Sequence, residues 1–514
     1  MRIRPALLVC VLATVALVAC SNSSPTPVPV PSLAPLPESG TAPPAVTVEA
    51  PPTFTPGPAT VSKNRLLYVR NGRFMTANAD GSDKRPLFGD NTVNGYAPPR
   101  DPGRAWVSPS GKQIAFLGDP GGALWIADVN GSNLHKVSES LLPGEGLGTD
   151  QDRENAVRRM AIQEITWTPD ESRLALIGAP KATIDLFIVD LKTGQVIQVT
   201  DDAFREDRFS WSPDGAWLVY TSFDEKFANE RVYVVGADGS QPLEIPTDPI
   251  VTASGLNAGT LLAGALEPTW LDATHLFFYP VVAKGSLGIW SYDLISRSVK
   301  PITQVAVATP DWSPVTHRWV FAKQRELGPL FTLGLEGGEP QQVVAENGFA
   351  PIWSPDGNQI VYSAGAEASA DEWEIHIIGA DGSNDRSLAK GFKLIGFDPP
   401  EPSPNGKRFW SGDKRSLLFT TVGTSYGNPG PQGEAGPDLE NWWMVSVDGG
   451  EPQKLTDLER VFYLQGLEPS PDGQSYAFVG FYYLDRALHL WTFSRDGGHV
   501  APIDGGVRWF LWLR

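Results

Sequence analysis

The stretch WSPDGNQIVY at 353–362 decides how this chain is read, because copies of it run from residue 106 almost to the C-terminus. WSPDGAWLVY at 211–220 is nearly identical and WTPDESRLAL at 167–176 is close. Looser copies are WVSPSGKQIAF (106–116), WLDATHLFFY (270–279), WSPVTHRWVF (312–321), PSPNGKRFW (402–410) and SPDGQSYAF (470–478). In SPDG the proline presets φ, and Asp and Gly accept left-handed positions. Each copy therefore reads as a tight turn between a strand ending at Trp and a β-branched or aromatic strand after it.

A third apolar run follows each copy: ALWIADV (123–129), DLFIVDL (185–191), RVYVVGA (231–237), GIWSYDL (288–294), PLFTLGL (329–335), EIHIIGA (374–380), WWMVSVD (442–448) and HLWTFSR (489–495). Behind these come Gly-containing turns, often Asp-Gly, and a short fourth strand that in several copies closes on VT, IT or LT. Strand runs bounded by turn signals, with no sustained helical period, predict an all-β chain. A repeat of about 40–65 residues predicts a β-propeller of four-stranded blades.

The ends of the chain fit the same scheme. Residues 64–88 read as strands two to four of a blade that lacks its first, and GVRWFLWLR (506–514) is an apolar strand without a blade. Joining them would complete one blade and remove the exposed edges, giving eight full repeats plus one shared blade, eight to nine blades in all. The repeat, WSPDG with an apolar strand and then a DG turn before LT, resembles the TolB-type propeller repeat. It is similar to the propellers of the tricorn and prolyl-oligopeptidase kinds. That resemblance covers 61–514 and implies a platform for protein–protein association.

Before the repeats lie two segments of a different kind. Arg2 and Arg4 precede the apolar run ALLVCVLATVAL (6–17), which is short for a membrane span. It ends in Leu17-Val18-Ala19-Cys20, which resembles the bacterial lipobox and implies that 1–19 are a signal peptide and Cys20 an acylated anchor. Cys10 is the only other cysteine, so the expected mature chain has no disulfide. Residues 21–60 hold twelve prolines among Ser, Thr, Ala and Val. They read as an extended stalk that could reach on the order of 100 Å. The 514 residues carry a formal charge of −18, which repels nucleic acid and anionic lipid. The expected product is a monomer outside the cytoplasm, lipid-anchored to a bacterial membrane.

Chemical motifs are sparse. Gly423-Thr424-Ser425-Tyr426-Gly427 fits G-x-S-x-G, but Pro429, Pro431 and Pro437 deny it the helix that a nucleophile elbow needs. The six histidines (135, 275, 317, 376, 489 and 499) show no zinc spacing, and His275 and His317 occupy turn positions of their repeats. The DG turns lack the calcium-loop pattern, and no phosphate-binding loop occurs. No cofactor, no metal and no catalytic residue is expected. TDQDRENAVRRMA (149–161), capped by Thr149, is the one helix worth naming.

The repeats agree in the connections between strands 1 and 2 and between strands 3 and 4, and differ in the others. The long 4–1 segments are 139–164 and 246–267; the long 2–3 segments are 222–231, 363–373 and 423–440. All would leave one face, where contact residues usually sit on a rigid scaffold. Candidate binding residues there are Tyr96, Phe223, Asp224, Phe227, Asp371, Glu372, Tyr426 and Trp442, a mix of aromatic anchors and acids suited to a basic or neutral peptide, or to a glycan. The expected function is binding of an envelope or extracellular protein or peptide. The alternative is a propeller hydrolase or polysaccharide lyase with its site in the central channel.

Overall fold

The computed structural model describes residues 64–88, 104–118, 123–140, 165–178, 185–202, 204–223, 230–240, 242–257, 268–282, 285–324, 327–365, 373–390, 410–420, 441–458, 461–482, 484–507 and 509–513. Thr55–Arg514 form one compact unit. Its strands sort into antiparallel blades, numbered I to IX here in chain order, that build a β-propeller.

Blade I is the shared one. Phe510–Leu513 supply its first strand and pair with Arg65–Arg70, followed by Arg73–Asn78 and Arg85–Pro86. The expected closure is therefore what the chain does. Side chains reinforce the seam. The Tyr68 hydroxyl donates to Asp504 at 3.1 Å, Arg70 pairs with the same carboxylate, and the Thr492 hydroxyl donates to the Ala79 carbonyl at 2.6 Å.

Blades II, III, IV, V and IX are four-stranded and begin at Ala105, Ile165, Arg205, Thr269 and Val461. Blades VI and VII share a continuous seven-stranded sheet, because Gln341–Trp353 serves as the last strand of one and the first of the next. Blade VIII has three strands (Ser416–Thr420, Trp442–Ser446 and Gln453–Lys454), with its first reduced to a bridge from Trp410 to Leu417.

The apolar runs are long because both faces of each blade are buried. In blade II, Ile114 and Phe116 pack toward blade I while Ala115 packs toward blade III. Nine buried clusters result, one for each pair of neighbouring blades, and the last joins blade IX (Ala477, Leu490) to blade I (Leu66, Trp512). A strand with period-two side chains inserted between two neighbours has no solvent face to fill with polar residues.

The repeated motif acquires a mechanism in which Ser is as important as Pro, Asp and Gly. In blade IV the Ser212 hydroxyl donates to Asp214 at 2.5 Å and accepts from the Trp217 N–H at 3.0 Å, while Asp214 accepts from the Ala216 N–H at 3.1 Å. The same web joins Ser354, Asp356 and Gln359 in blade VII and Ser470, Asp472 and Ser475 in blade IX. Gly215 stands at φ +70°, a value that favours glycine.

The repeated Trp works between blades. The indole N–H of Trp167 donates to the Trp106 carbonyl (3.1 Å), Trp211 to Thr166 (3.2 Å), Trp270 to Ser210 (3.1 Å) and Trp512 to Glu468 (3.0 Å). Each acceptor sits one residue before the corresponding position of the preceding blade, so at these four junctions the motif clips first strand to first strand.

This regularity corrects the seventh repeat. PSPNGKRFW does not provide its turn; the turn is Trp410-Ser411-Gly412-Asp413-Lys414, eight residues further on. There the Ser411 hydroxyl donates to Asp413, and the Lys414 N–H reaches the Ser411 carbonyl at 2.8 Å. Lys414 takes the glycine position at φ +61°, which disguised the copy in the sequence.

Candidate functional site

Strand direction sorts the connections as expected. The 1–2 and 3–4 hairpins lie at one end of each blade, called here the regular end. The 2–3 and 4–1 connections lie at the other, the variable end. Asn64, the first described residue, stands at the regular end, since it opens a second strand. The helix anticipated at 149–161 lies outside the described residues. A helix does form in another 4–1 segment, at Asp248–Ala253, where Pro249 lies in the first turn beside Asp248 and Ile250 and Val251 are buried. An extra hairpin, Val281–Val282 with Gly285–Ser286, enlarges the 2–3 connection of blade V.

The variable end of blades III and IV holds a feature that the sequence reading missed. Asp185 opens the third strand of blade III, and Glu206 and Glu230 lie at the variable-end termini of the first and third strands of blade IV. Their exposures are 0%, 2% and 1%; with Asp504 they are the buried carboxylates among the described residues. Gln198 donates its amide to Asp185 at 3.2 Å. Thr200, from the VT that closes blade III, accepts the Leu186 N–H at 2.9 Å, and its hydroxyl also bonds Glu206. The Ser222 hydroxyl reaches Glu206 at 3.5 Å.

Burial, with the Asp202 charge second, pushes the Glu206 carboxyl up from 4.5 to about 8, against the pull of the Thr200 bond. Tyr220 stacks on Tyr233 at 5.3 Å. Burial, followed by the nearby Glu206, pushes its phenol well above the usual range. The outcome is a low-dielectric strand end where burial favours the neutral form of Glu206 and a cationic neighbour would favour the charged one.

Of the candidate binding residues, Phe223 lies at this same end. It closes the second strand of blade IV, half-buried, opposite Arg205 on one side and Glu230 on the other. Trp442 does not serve as a surface anchor. It is 7% exposed, packs edge-on to Phe478 at 6.0 Å and belongs to the core between blades VIII and IX. Opening a third strand put it at the rim in sequence, but its ring turns into the blade interface. Cys20, Tyr96, Asp224, Phe227, Asp371, Glu372 and Tyr426 lie outside the described residues, as does the 423–427 motif with Ser425.

The histidines pair locally: His275 with Asp272 (3.0 Å), His376 with Asp385 (3.0 Å) and His489 with Asp485 (2.7 Å). Among the described residues no three His, Cys, Asp or Glu side chains converge to hold a metal ion. Nor is any described helix long and apolar enough to cross a membrane.

Neither a protein-family model nor a curated protein sequence matches the chain. Solved structures do resemble it. A chain described as a eukaryotic initiation factor aligns with a TM-score of 0.52 at 13% identity, over 88% of this chain and 98% of that one. TolB from Acinetobacter baumannii aligns with a TM-score of 0.28 at 16% identity, over 63% of this chain and 77% of its own. An oligogalacturonate lyase in complex with manganese aligns with a TM-score of 0.37 at 12% identity, over 74% and 94%. At such identities the likeness is one of fold, and fold does not carry function.

The buried acids left a faint trace in the sequence. Asp185 heads an otherwise apolar run, and Glu206 stands in R-E-D-R at the start of a strand that must enter the core. A charged residue fixed by topology inside a doubly buried blade is the available signal, and it becomes readable only once the blade register is known.

Proposed function

We propose that this chain is an extracytoplasmic propeller, held to a bacterial membrane by an acylated Cys20 and a proline-rich stalk, that binds a protein or peptide over the variable end of its ring. One observation carries the reading. At the regular end the turn Ser and Asp side chains are spent on closing their own hairpins, whereas all the long connections leave from the variable end. A cationic group brought to that end would favour the charged forms of the buried acids Asp185, Glu206 and Glu230, which supports a basic or neutral peptide over an acidic one.

Two measurements test it. Affinity capture from envelope extract with Thr55–Arg514 as bait should retain a partner that the same bait lacking 423–438 releases, while both melt alike; equal capture sinks the site assignment. Metabolic labelling with a fatty acid should mark the full chain and leave Cys20→Ser unmarked. Label on both removes the anchor.

A further inference from the structure

Of the carboxylates buried among the described residues, Asp504 shows how this ring satisfies such a group. It lies near the end of the last strand of blade IX, at the variable end. The Tyr68 hydroxyl donates to its Oδ2 at 3.1 Å, while its Oδ1 takes the Gly505 N–H at 3.0 Å and the Arg70 guanidinium. The Asp504 side chain is 6% exposed and that of Arg70 44%. A cationic side chain rooted at the rim therefore reaches a carboxylate that is itself withdrawn from water.

Glu206 lies at the same end, on blade IV, without a partner of that kind. Its Oε1 has the Ser222 hydroxyl at 3.5 Å, and the Thr200 hydroxyl bonds the same carboxyl. Its Oε2 is buried and has no hydrogen-bond partner. Buried oxygens are normally satisfied, and one left open in a folded chain calls for an explanation. In register Glu206 faces Ser222, and Ser222 faces Arg231. Arg231 is engaged elsewhere: it pairs with Glu244 at 3.5 Å and lies over the Phe204 ring at 5.8 Å.

The other ionisable groups that bear on Glu206 are the Asp202 and Asp185 carboxylates and the Tyr220 phenol, which stacks on Tyr233. All are acids, so none supplies the positive charge that Arg70 brings to Asp504. Burial first, and then the Asp202 charge, pushes the free Glu206 carboxyl up to about 8. A cation arriving below that pH displaces its proton. The O–H bond breaks, the proton passes to the buffer, and the oxygen left behind accepts an N–H of the cation. Charge is conserved, because a neutral acid and a cation become an ion pair and a free proton.

We infer that the open Glu206 oxygen is the subsite for one lysine or arginine side chain of the bound peptide, seated as Arg70 is seated on Asp504. The inference rests on the reading of the variable end as a peptide-binding face, and it can fail while that reading stands. Phe204 and Phe223, both half-buried, stand at the same strand ends and offer apolar surface for the stem of such a side chain.

The probes are fluorescein-labelled Gly-Ser-Arg-Ser-Gly and the same peptide with citrulline, which keeps the shape of arginine without its charge. Both are titrated by anisotropy against the full chain. Near neutral pH the arginine peptide should bind about tenfold tighter than the citrulline one. Its Kd should fall about tenfold from pH 6 to pH 7, the linkage expected for one released proton. Calorimetry in phosphate and in Tris counts that proton on the wild type alone. Glu206→Gln keeps the size of the side chain. It should weaken the arginine peptide about tenfold, remove the pH dependence and melt no lower than wild type. No binding of the arginine peptide, equal binding of the citrulline one, or no proton released overturns the inference. So does undiminished capture of an envelope partner by Glu206→Gln, a result that leaves the peptide-binding face standing.

Discussion

Blade IV carries an acid at each end, and the two behave oppositely. Asp214, in the regular-end turn, is exposed and receives the Ser212 hydroxyl and the Ala216 N–H, so its carboxyl is held below the usual range. Glu206, at the variable end of the same sheet, is 2% exposed, and burial pushes it up to about 8. The contrast separates two uses of a carboxylate. Donors aimed at the charge make Asp214 part of the scaffold, whereas withdrawal from water makes Glu206 a cost that the scaffold carries. Building the ring requires the first in most blades; nothing in the repeat requires the second.

The sharpest way to break the comparison is to neutralise Glu206. The folded chain keeps its proton up to about pH 8, while the unfolded chain releases it near 4.5. Between those values the folded state binds more protons, so stability falls as pH rises, and the full contribution is present only below 4.5. A tenfold change in proton affinity corresponds to about 1.4 kcal/mol, so the penalty at pH 8 is of the order of a few kcal/mol. Glu206→Gln should raise stability by that amount near pH 8, leave it nearly unchanged near pH 4, and flatten the slope between. Urea unfolding at several pH values checks this, and a variant no more stable than wild type at pH 8 would show the carboxylate to be better solvated than its surroundings imply.

At the regular end, Ser212→Ala is next in size. The hydroxyl is fully buried and serves two partners, so its loss strands the Trp217 N–H and loosens Asp214. A cost of about 1–2 kcal/mol follows, and Ser354→Ala in blade VII should match it because the web is the same. Trp211→Phe keeps most of the apolar burial but removes the indole bond to the Thr166 carbonyl, for about 1 kcal/mol. If Trp211→Phe proves neutral while Ser212→Ala does not, the motif acts within blades only and the clip between them is incidental.

These residues also mark how far the sequence could be read. Turn chemistry and strand pairing are local and repeated, so Ser212, Asp214 and Gly215 reinforce one another over many copies and the propeller emerges, closure included. Copy seven slipped because Lys414 stands where glycine was expected, and no neighbour in sequence reveals that the backbone accepts it. Trp442 was misjudged because a strand's opening residue can face either the rim or the next blade, a choice made by packing against Phe478, 36 positions further along the chain (478 − 442). Glu206 was unread for the same reason: its burial comes from blade III meeting blade IV, which no single repeat encodes.

The smallest effect is also the cleanest test of sign. Because the Asp214 carboxyl is held low, it contributes stability above the usual carboxylate range and loses that contribution as pH falls through its folded value. Its exposure lets solvent screen the interaction, so Asp214→Asn should lower the melting temperature near pH 7 only slightly, and by less as pH falls through the acid range. Glu206→Gln should do the reverse, with a gain that grows as pH rises. Thermal melts of both single variants across the same pH series would therefore diverge in opposite directions from wild type. Curves that run parallel would mean that the two ends of blade IV share one electrostatic environment, and the division into a structural end and a functional end would lose its physical basis.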